Sequence, residues 1–195
     1  MISSTIAATP MAGTVTRYWK TGLIITQADL TGILGIDPAG TTPPGQDRRL
    51  TVPPGSVAGL PALREQFLDS MNALAAAENA PEVTSCQVEI EVWRNGYDQP
   101  AFSRQARYVG WTILAASPAP RHSESGCLAF ADPRAGSAGT AMPGLPWGRQ
   151  FIVTPLPGNH AVVPGWLTCS VVPLEHGQRI TVAVAQSADH LCTRQ

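Results

Sequence analysis

Apolar side chains divide the chain into one helical stretch followed by a series of short strands. Between Leu60 and Asn79, apolar residues recur three or four positions apart, and Pro61 falls in the first turn, where proline is tolerated. This spacing predicts one amphipathic helix over 60–79. The residues on its apolar face are Leu63, Phe67, Leu68, Met71, Leu74 and Ala75.

From residue 85 onward, apolar residues recur at every second position instead of with the spacing of a helix. In 85–93, apolar side chains at 88, 90 and 92 alternate with polar side chains at 87, 89 and 91, which is typical of a strand with one buried face. Turn dipeptides such as Asn95-Gly96 and Pro164-Gly165 separate the segments. Further strands are predicted over 13–19, 22–26, 108–115, 127–131, 150–154, 160–163, 168–172 and 179–185.

One helix followed by seven or eight short strands predicts a mainly β fold, a jelly roll or helix-supported sandwich. The 195 residues suffice for one domain with a sizeable core. No internal repeat or linker divides the chain. We therefore expect a single domain over residues 1–195.

Composition and charge exclude several classes of partner. The formal net charge is −1, and Lys20 is the only lysine among scattered arginines, which argues against nucleic acid. No apolar run approaches the roughly 20 residues of a membrane helix. The first residues lack the basic start and apolar run of a secretory signal. We expect a cytoplasmic protein whose partner is a small molecule.

The cysteines form no recognisable framework. Cys86, Cys127, Cys169 and Cys192 are widely spaced, and no C-x-x-C pair occurs. This pattern favours buried apolar fillers or free thiols over disulfides or a zinc site.

Four segments of the C-terminal half follow one another in the order and spacing of a known family. They are GCLAFADPR at 126–134, PLPG at 155–158, VPGWLTC at 163–169 and RITV at 179–182. Over about residues 60–186 the chain resembles the small Fe(II)/2-oxoglutarate-dependent oxygenases. The resemblance implies a double-stranded β-helix, a cupin-like jelly roll with one or more supporting N-terminal helices.

The departures from this family concern its metal ligands. The family holds iron with a His-x-Asp, Glu or His pair and a distal histidine, a set that suits Fe(II). The distal position here is Cys169, and the pair falls near Ala101 and Ser103, in a stretch without histidine whose only carboxylate is Asp98. The resemblance therefore implies a degenerate member with no metal site, and we expect neither Fe(II) nor 2-oxoglutarate as cofactor.

An anion clamp, by contrast, matches the family. Arg179 and Thr181 correspond to its Arg-x-Ser pair, which holds the distal carboxylate of 2-oxoglutarate. Both residues share one strand face, and a buried arginine requires an anionic partner. That partner is either a small carboxylate ligand or an internal bridge to Asp132 or Glu175.

The candidate catalytic groups are few. Cys169 is a nucleophile, a thiolate ligand or a packing residue, and a nucleophile would need a neighbouring base. His122 and Glu124 lie in a predicted turn and are either an acid/base or ligand pair or solvated, and Asp132 completes the set. His160 and His176 are predicted at the surface and His190 in a frayed tail.

Aromatic residues supply the candidate lining of a pocket. Trp111 and Trp166 lie on or beside predicted strands and are core residues or pocket walls. The segment 136–148, rich in small residues, is a lid or a solvated connection.

Three functions remain. The first is a metal-independent enzyme that performs a cyclisation, isomerisation or elimination on a carboxylate-bearing metabolite in a specialised biosynthetic pathway. The second is a non-catalytic ligand-binding or partner protein. The third is an oxygenase with a rewired metal site. Retention of Arg179 and Thr181 favours a ligand pocket, and a homodimer is compatible with any of the three.

Overall fold

Ten strands and one helix follow one another along the part of the chain that the structure, a computed structural model, describes: residues 21–33, 48–53, 57–134, 139 and 150–188. The predicted strand over 13–19 and most of the lid segment lie outside these residues. The elements are β1 (Ile24–Gln27), β2 (Arg49–Val52), α1 (Leu60–Ala77), β3 (Cys86–Arg94), β4 (Gln99–Phe102), β5 (Tyr108–Ser117), β6 (Leu128–Phe130), β7 (Phe151–Val153), β8 (Asn159–Pro164), β9 (Cys169–Val171) and β10 (Arg179–Ser187).

The strands form two antiparallel sheets. The order in the larger sheet is β1-β8-β5-β10-β3-β2, and in the smaller it is β4-β9-β6-β7. From β3 to β10, strands of the two sheets alternate irregularly along the chain. Strands that follow each other in sequence are therefore often not hydrogen-bonded to each other, as in jelly rolls. The predicted double-stranded β-helix is therefore confirmed. Strands β2 and β4, of four residues each, were not predicted.

Helix α1 covers one face of the larger sheet. Its apolar stripe is buried, as predicted from the spacing, and includes Leu63, Phe67 and Met71. Proline lies in the first turn, and the helix ends before Asn79, whose positive φ of 54° stops further helical hydrogen bonding. Within the described residues, no helix is long and apolar enough to cross a membrane.

Both faces of the larger sheet are buried, which creates two apolar cores. The helix-side core lies under α1 and includes Phe67, Ile90, Val92 and Ala183. The inter-sheet core lies between the sheets and is filled by side chains. Its members include Trp93, Trp111, Ile113, Phe130, Val163, Leu167, Cys169, Ile180 and Val182.

His160 lies in the helix-side core, so the prediction that it is a surface residue was wrong. Its side chain is 1% exposed and hydrogen-bonds with Thr112 Oγ1 at 2.8 Å and Ser70 Oγ at 3.0 Å. Desolvation under α1 lowers the pKa of His160 to about 4. His160 is the second residue of β8, next to a turn, and its burial results from the packing of α1 over it.

We expect this histidine to make folding stability depend on pH. Between pH 6.5 and 4 the unfolded chain binds the proton that the folded chain excludes, so stability falls on acidification, by roughly 3 kcal/mol in total. Urea unfolding at several pH values should show this loss in the wild type and a shallower loss in His160→Gln. His122→Gln, at an exposed histidine, should keep the wild-type slope. Parallel slopes for all three proteins would contradict the assignment.

The three cysteines that the structure describes are free and buried. Cys86 and Cys127 serve as small apolar residues, and burial raises the pKa of Cys127 to about 11. The prediction of fillers rather than disulfides is confirmed for these residues.

Candidate functional site

The position at which the sequence resemblance implies iron is identified by the pairing of β4 with β9. Phe102 is the register partner of Cys169, and both contact the inter-sheet core. Ala101 and Ser103 are exposed. The resemblance places the ligand pair near Ala101 and Ser103, and the residues that lie beside Cys169 are Phe102 and Arg104, one position further along the chain.

These residues do not fit Fe(II). Phe102 has no donor atom, and Arg104 is a cation that repels a metal ion. Desolvation raises the pKa of Cys169 to about 12, with Arg104 lowering it slightly, so the thiol stays protonated at neutral pH. Across the described part of the chain, no three His, Cys, Asp or Glu residues lie close enough to hold a metal.

Arg104 lies beside Phe102 at this end of the sandwich. Its guanidinium carbon lies 5.4 Å from the centroid of the Phe102 ring, a cation–π contact. Its Nε atom is buried, and no described residue accepts a hydrogen bond from it. A buried guanidinium donor without an acceptor costs about 1–3 kcal/mol. Arg104 as a whole is half-buried, so an external anion can contact the exposed part of its guanidinium rather than Nε.

A cleft of about 360 Å³ opens beside this arginine and is called the Arg104 cleft below. The segment 104–108 between β4 and β5 forms its floor, and Pro164 and Trp166 from the turn between β8 and β9 form one wall. Glu78 and Ala80, at the end of α1, also line it. Its volume is near the lower end of the ~300–1,000 Å³ typical of ligand pockets, which suits a small metabolite.

The floor of the cleft depends on a close backbone crossing at Gly165. Its N–H donates to the Arg107 carbonyl at 2.9 Å, and its carbonyl accepts from the Arg104 N–H at 2.8 Å. A Cβ atom at position 165 would lie 1.9 Å from the carbonyl oxygen of Ala106. Only glycine therefore allows the two segments to approach, and this approach places Arg104 beside Trp166.

A phenol and a carboxylate lie in the same cleft. The Tyr108 hydroxyl donates a hydrogen bond to Glu78 Oε2 at 2.9 Å. The guanidinium carbon of Arg107 lies 5.4 Å from the centroid of the Tyr108 ring, and its Nη2 donates to the Glu82 carbonyl at 3.3 Å. The cleft thus combines cationic, anionic and proton-transferring groups.

Sequence reasoning missed most of this site. Among the catalytic and ligand-binding residues predicted from the sequence, only Trp166 lines the cleft, with 57% of its surface exposed. Arg104 and Arg107 stand three residues apart just before a strand, a weak signal that was not used. Glu78 and Tyr108 lie 30 positions apart, and only the packing of α1 on β5 joins them.

The predicted clamp lies on the opposite face from the barrel interior. Ile180 pairs with Trp93 and enters the inter-sheet core. Thr181 pairs with Val92, so Arg179 and Thr181 point to the α1 side of the sheet. The hypothesis that they hold a ligand inside the barrel does not fit this orientation.

Trp111 does not line an open pocket. It is 2% exposed and lies within the inter-sheet core, where its ring meets Phe130 edge to face at a centroid distance of 5.6 Å. Its surroundings are those of a packing residue.

His122 and Glu124 lie far from the cleft. Both are exposed in the turn that follows β5, a strand of ten residues that begins at the cleft, so about 30 Å separates the two ends. The His122 N–H donates to Glu175 Oε1, and this bond with that from Arg121 lowers the pKa of Glu175. The turn is held by these bonds, and no acid/base pair forms with Cys169.

Asp132 forms an ion pair with Arg134, two residues further along the chain. Arg134 donates to its carboxylate from Nε at 2.8 Å and from Nη2 at 2.5 Å. This hydrogen bonding raises the pKa of Arg134. A carboxylate held in a bidentate pair is a weak base, so the structure gives Asp132 no evident catalytic role. His122 and Glu124 are therefore not brought together with Cys169, whereas Asp132 lies near it, because Phe130 pairs with Cys169 and the Ala131 N–H donates to the Thr168 carbonyl at 2.9 Å.

No known protein family and no curated protein matches the sequence. Similar solved structures include HygX from Streptomyces hygroscopicus with nickel, 2-oxoglutarate and hygromycin B bound, at 13% identity and a TM-score of 0.47, covering 88% of this chain and 84% of that one. A Pseudomonas putida prolyl-4-hydroxylase is 14% identical, with a TM-score of 0.43 and coverages of 63% and 65%. A 2OG-Fe(II) oxygenase family member from Burkholderia pseudomallei is 8% identical, with a TM-score of 0.41 and coverages of 66% and 58%.

The chain spans less than two thirds of the Pseudomonas and Burkholderia proteins. At such low identity a likeness concerns the fold alone. The order of its own strands gives this chain a double-stranded β-helix fold, and the solved structures similar to it include Fe(II)/2-oxoglutarate oxygenases.

Proposed function

We propose that this protein binds a small carboxylate-bearing metabolite in the Arg104 cleft. The observation that carries the proposal is Arg104, a half-buried cation that lines the open cleft and forms no ion pair among the described residues. A guanidinium presents N–H groups in the geometry that a carboxylate accepts. The exposed indole of Trp166 offers an apolar wall for the remainder of the ligand.

Metal-independent catalysis on the bound carboxylate is a second candidate function. It is favoured by the hydrogen-bonded Tyr108–Glu78 pair, which lines the same cleft as the anion anchor. Cyclisation, isomerisation and elimination require a positioned substrate and one or two proton-transfer groups, and this pair supplies them. The alternative is a non-catalytic ligand-binding or partner protein, and the separation of His122 and Glu124 from Cys169 supports that alternative.

The anion anchor is tested by replacing Arg104 with glutamine, which keeps donor atoms but removes the charge. Isothermal titration with butyrate, succinate, phenylacetate and 2-oxoglutarate should show saturable binding of at least one compound to the wild type. Loss of a charged hydrogen bond should weaken it about tenfold in Arg104→Gln.

Arg64→Gln is the matched control, because Arg64 is exposed near the start of α1, about 20 Å along the helix from Glu78. It should bind like the wild type. If no carboxylate binds, or if the two variants lose affinity equally, the proposed function is wrong.

A further inference from the structure

The Arg104 cleft is lined by basic side chains and by one carboxylate, that of Glu78. Glu78 is the C-cap of α1 and is exposed, and no basic residue lies in the last helical turn. Carbonyl groups at a helix C-terminus create a negative potential that favours cations and disfavours a carboxylate. A glutamate at this position therefore strengthens an existing preference of the helix end for a positive group.

The partners of Glu78 do not neutralise it. Its Oε2 accepts the hydrogen bond of the Tyr108 hydroxyl, which is a neutral donor. Among the ion pairs of the described residues, none involves Glu78 and none involves Arg104. Glu78 and Arg104 line one cleft, together with a second arginine, Arg107, and do not pair with each other, so a ligand can contact both.

From this arrangement we infer that the ligand is a zwitterion, an amino carboxylate. This inference rests on the proposed function: the carboxylate binds Arg104, and the ammonium binds Glu78 near the helix end. The apolar chain between the two charges lies along Ala106, Pro164 and the Trp166 indole. The volume of about 360 Å³ suits a compact molecule of this kind.

The test compares each amino carboxylate with the same carboxylate lacking its amine. Titrations of β-alanine, γ-aminobutyrate and ε-aminocaproate are matched to propionate, butyrate and caproate. For the chain length that fits, the aminated member should bind roughly 3- to 10-fold tighter, because the ammonium gains a partly exposed ion pair and the field of the helix end.

Two variants separate this inference from the proposed function. Glu78→Gln keeps an acceptor for Tyr108 but removes the charge, so the affinity ratio of aminated to plain carboxylate should fall to about one. Glu65→Gln, at an exposed position on α1 outside the cleft, should keep the wild-type ratio.

If plain carboxylates bind through Arg104 and the amine adds nothing, the zwitterion inference is overturned while the proposed function stands. A ratio that survives in Glu78→Gln also overturns it. If neither series binds, the proposed function fails and the inference fails with it.

Discussion

Alanine at position 165 is expected to abolish ligand binding in the Arg104 cleft and to destabilise the fold. The added Cβ would lie 1.9 Å from the Ala106 carbonyl oxygen, which belongs to backbone and cannot rotate away. The turn after β8 must then separate from segment 104–107, and the hydrogen bonds between Gly165 and its two arginine partners break. Overpacking of this severity costs about 3 kcal/mol, or roughly 6–12 °C in Tm.

Thermal unfolding and titration with the best carboxylate would measure both effects in Gly165→Ala. Gly139→Ala is the matched control, because a Cβ at position 139 meets no atom of the described residues within 4 Å. It should retain the wild-type Tm and affinity. A Gly165→Ala protein with unchanged binding would show that the crossing does not position Arg104.

Replacement of Phe67 by alanine should cost about 3–5 kcal/mol, the range for a large aromatic residue removed from a core. Phe67 is fully buried on α1, and its ring centroid lies 4.8 Å from that of His160. The loss removes one of the buried contacts between the helix and the larger sheet. Chemical denaturation would measure it, with Glu65→Ala as an exposed control on the same helix.

A double-mutant cycle with Gly110 makes this prediction specific. A Cβ at position 110 would lie 2.7 Å from two ring atoms of Phe67 and 3.0 Å from Val162 Cγ2. Gly110→Ala should therefore be strongly destabilising alone and much less so together with Phe67→Ala, a coupling of about 1–3 kcal/mol. Additive losses would mean that Phe67 does not fill the space above Gly110.

Local patterns in the sequence were sufficient to predict α1 and most of the strands. Helical spacing over 60–79 and alternation over 85–93 depend on neighbours in the chain, which is why these elements were predicted. The short strand β4 has no such signal, and the site depends on it. Its pairing with β9 decides that Phe102 faces Cys169, residues 67 positions apart.

Alternation along a strand shows which residues share a face, but it does not show which of the two faces is the inner one. Arg179 and Thr181 share a face in sequence and in structure, as expected. In a sheet with one solvent-exposed face, the polar residues would mark that face and so identify the inner one. Here both faces are buried, one under α1 and one under the smaller sheet, so polarity did not distinguish them.

By itself, then, the sequence determined the class of fold, the helix and its buried face, the order of the strands along the chain and the absence of a family iron triad at the matching positions. The tertiary structure decided the register of β4 on β9, the dry surroundings of His160 and the meeting of Arg104, Trp166, Tyr108 and Glu78 in one cleft. The physical reason is that the spacing of apolar residues depends on local backbone geometry. The desolvation of a side chain and the charges around it depend instead on which distant segments pack together.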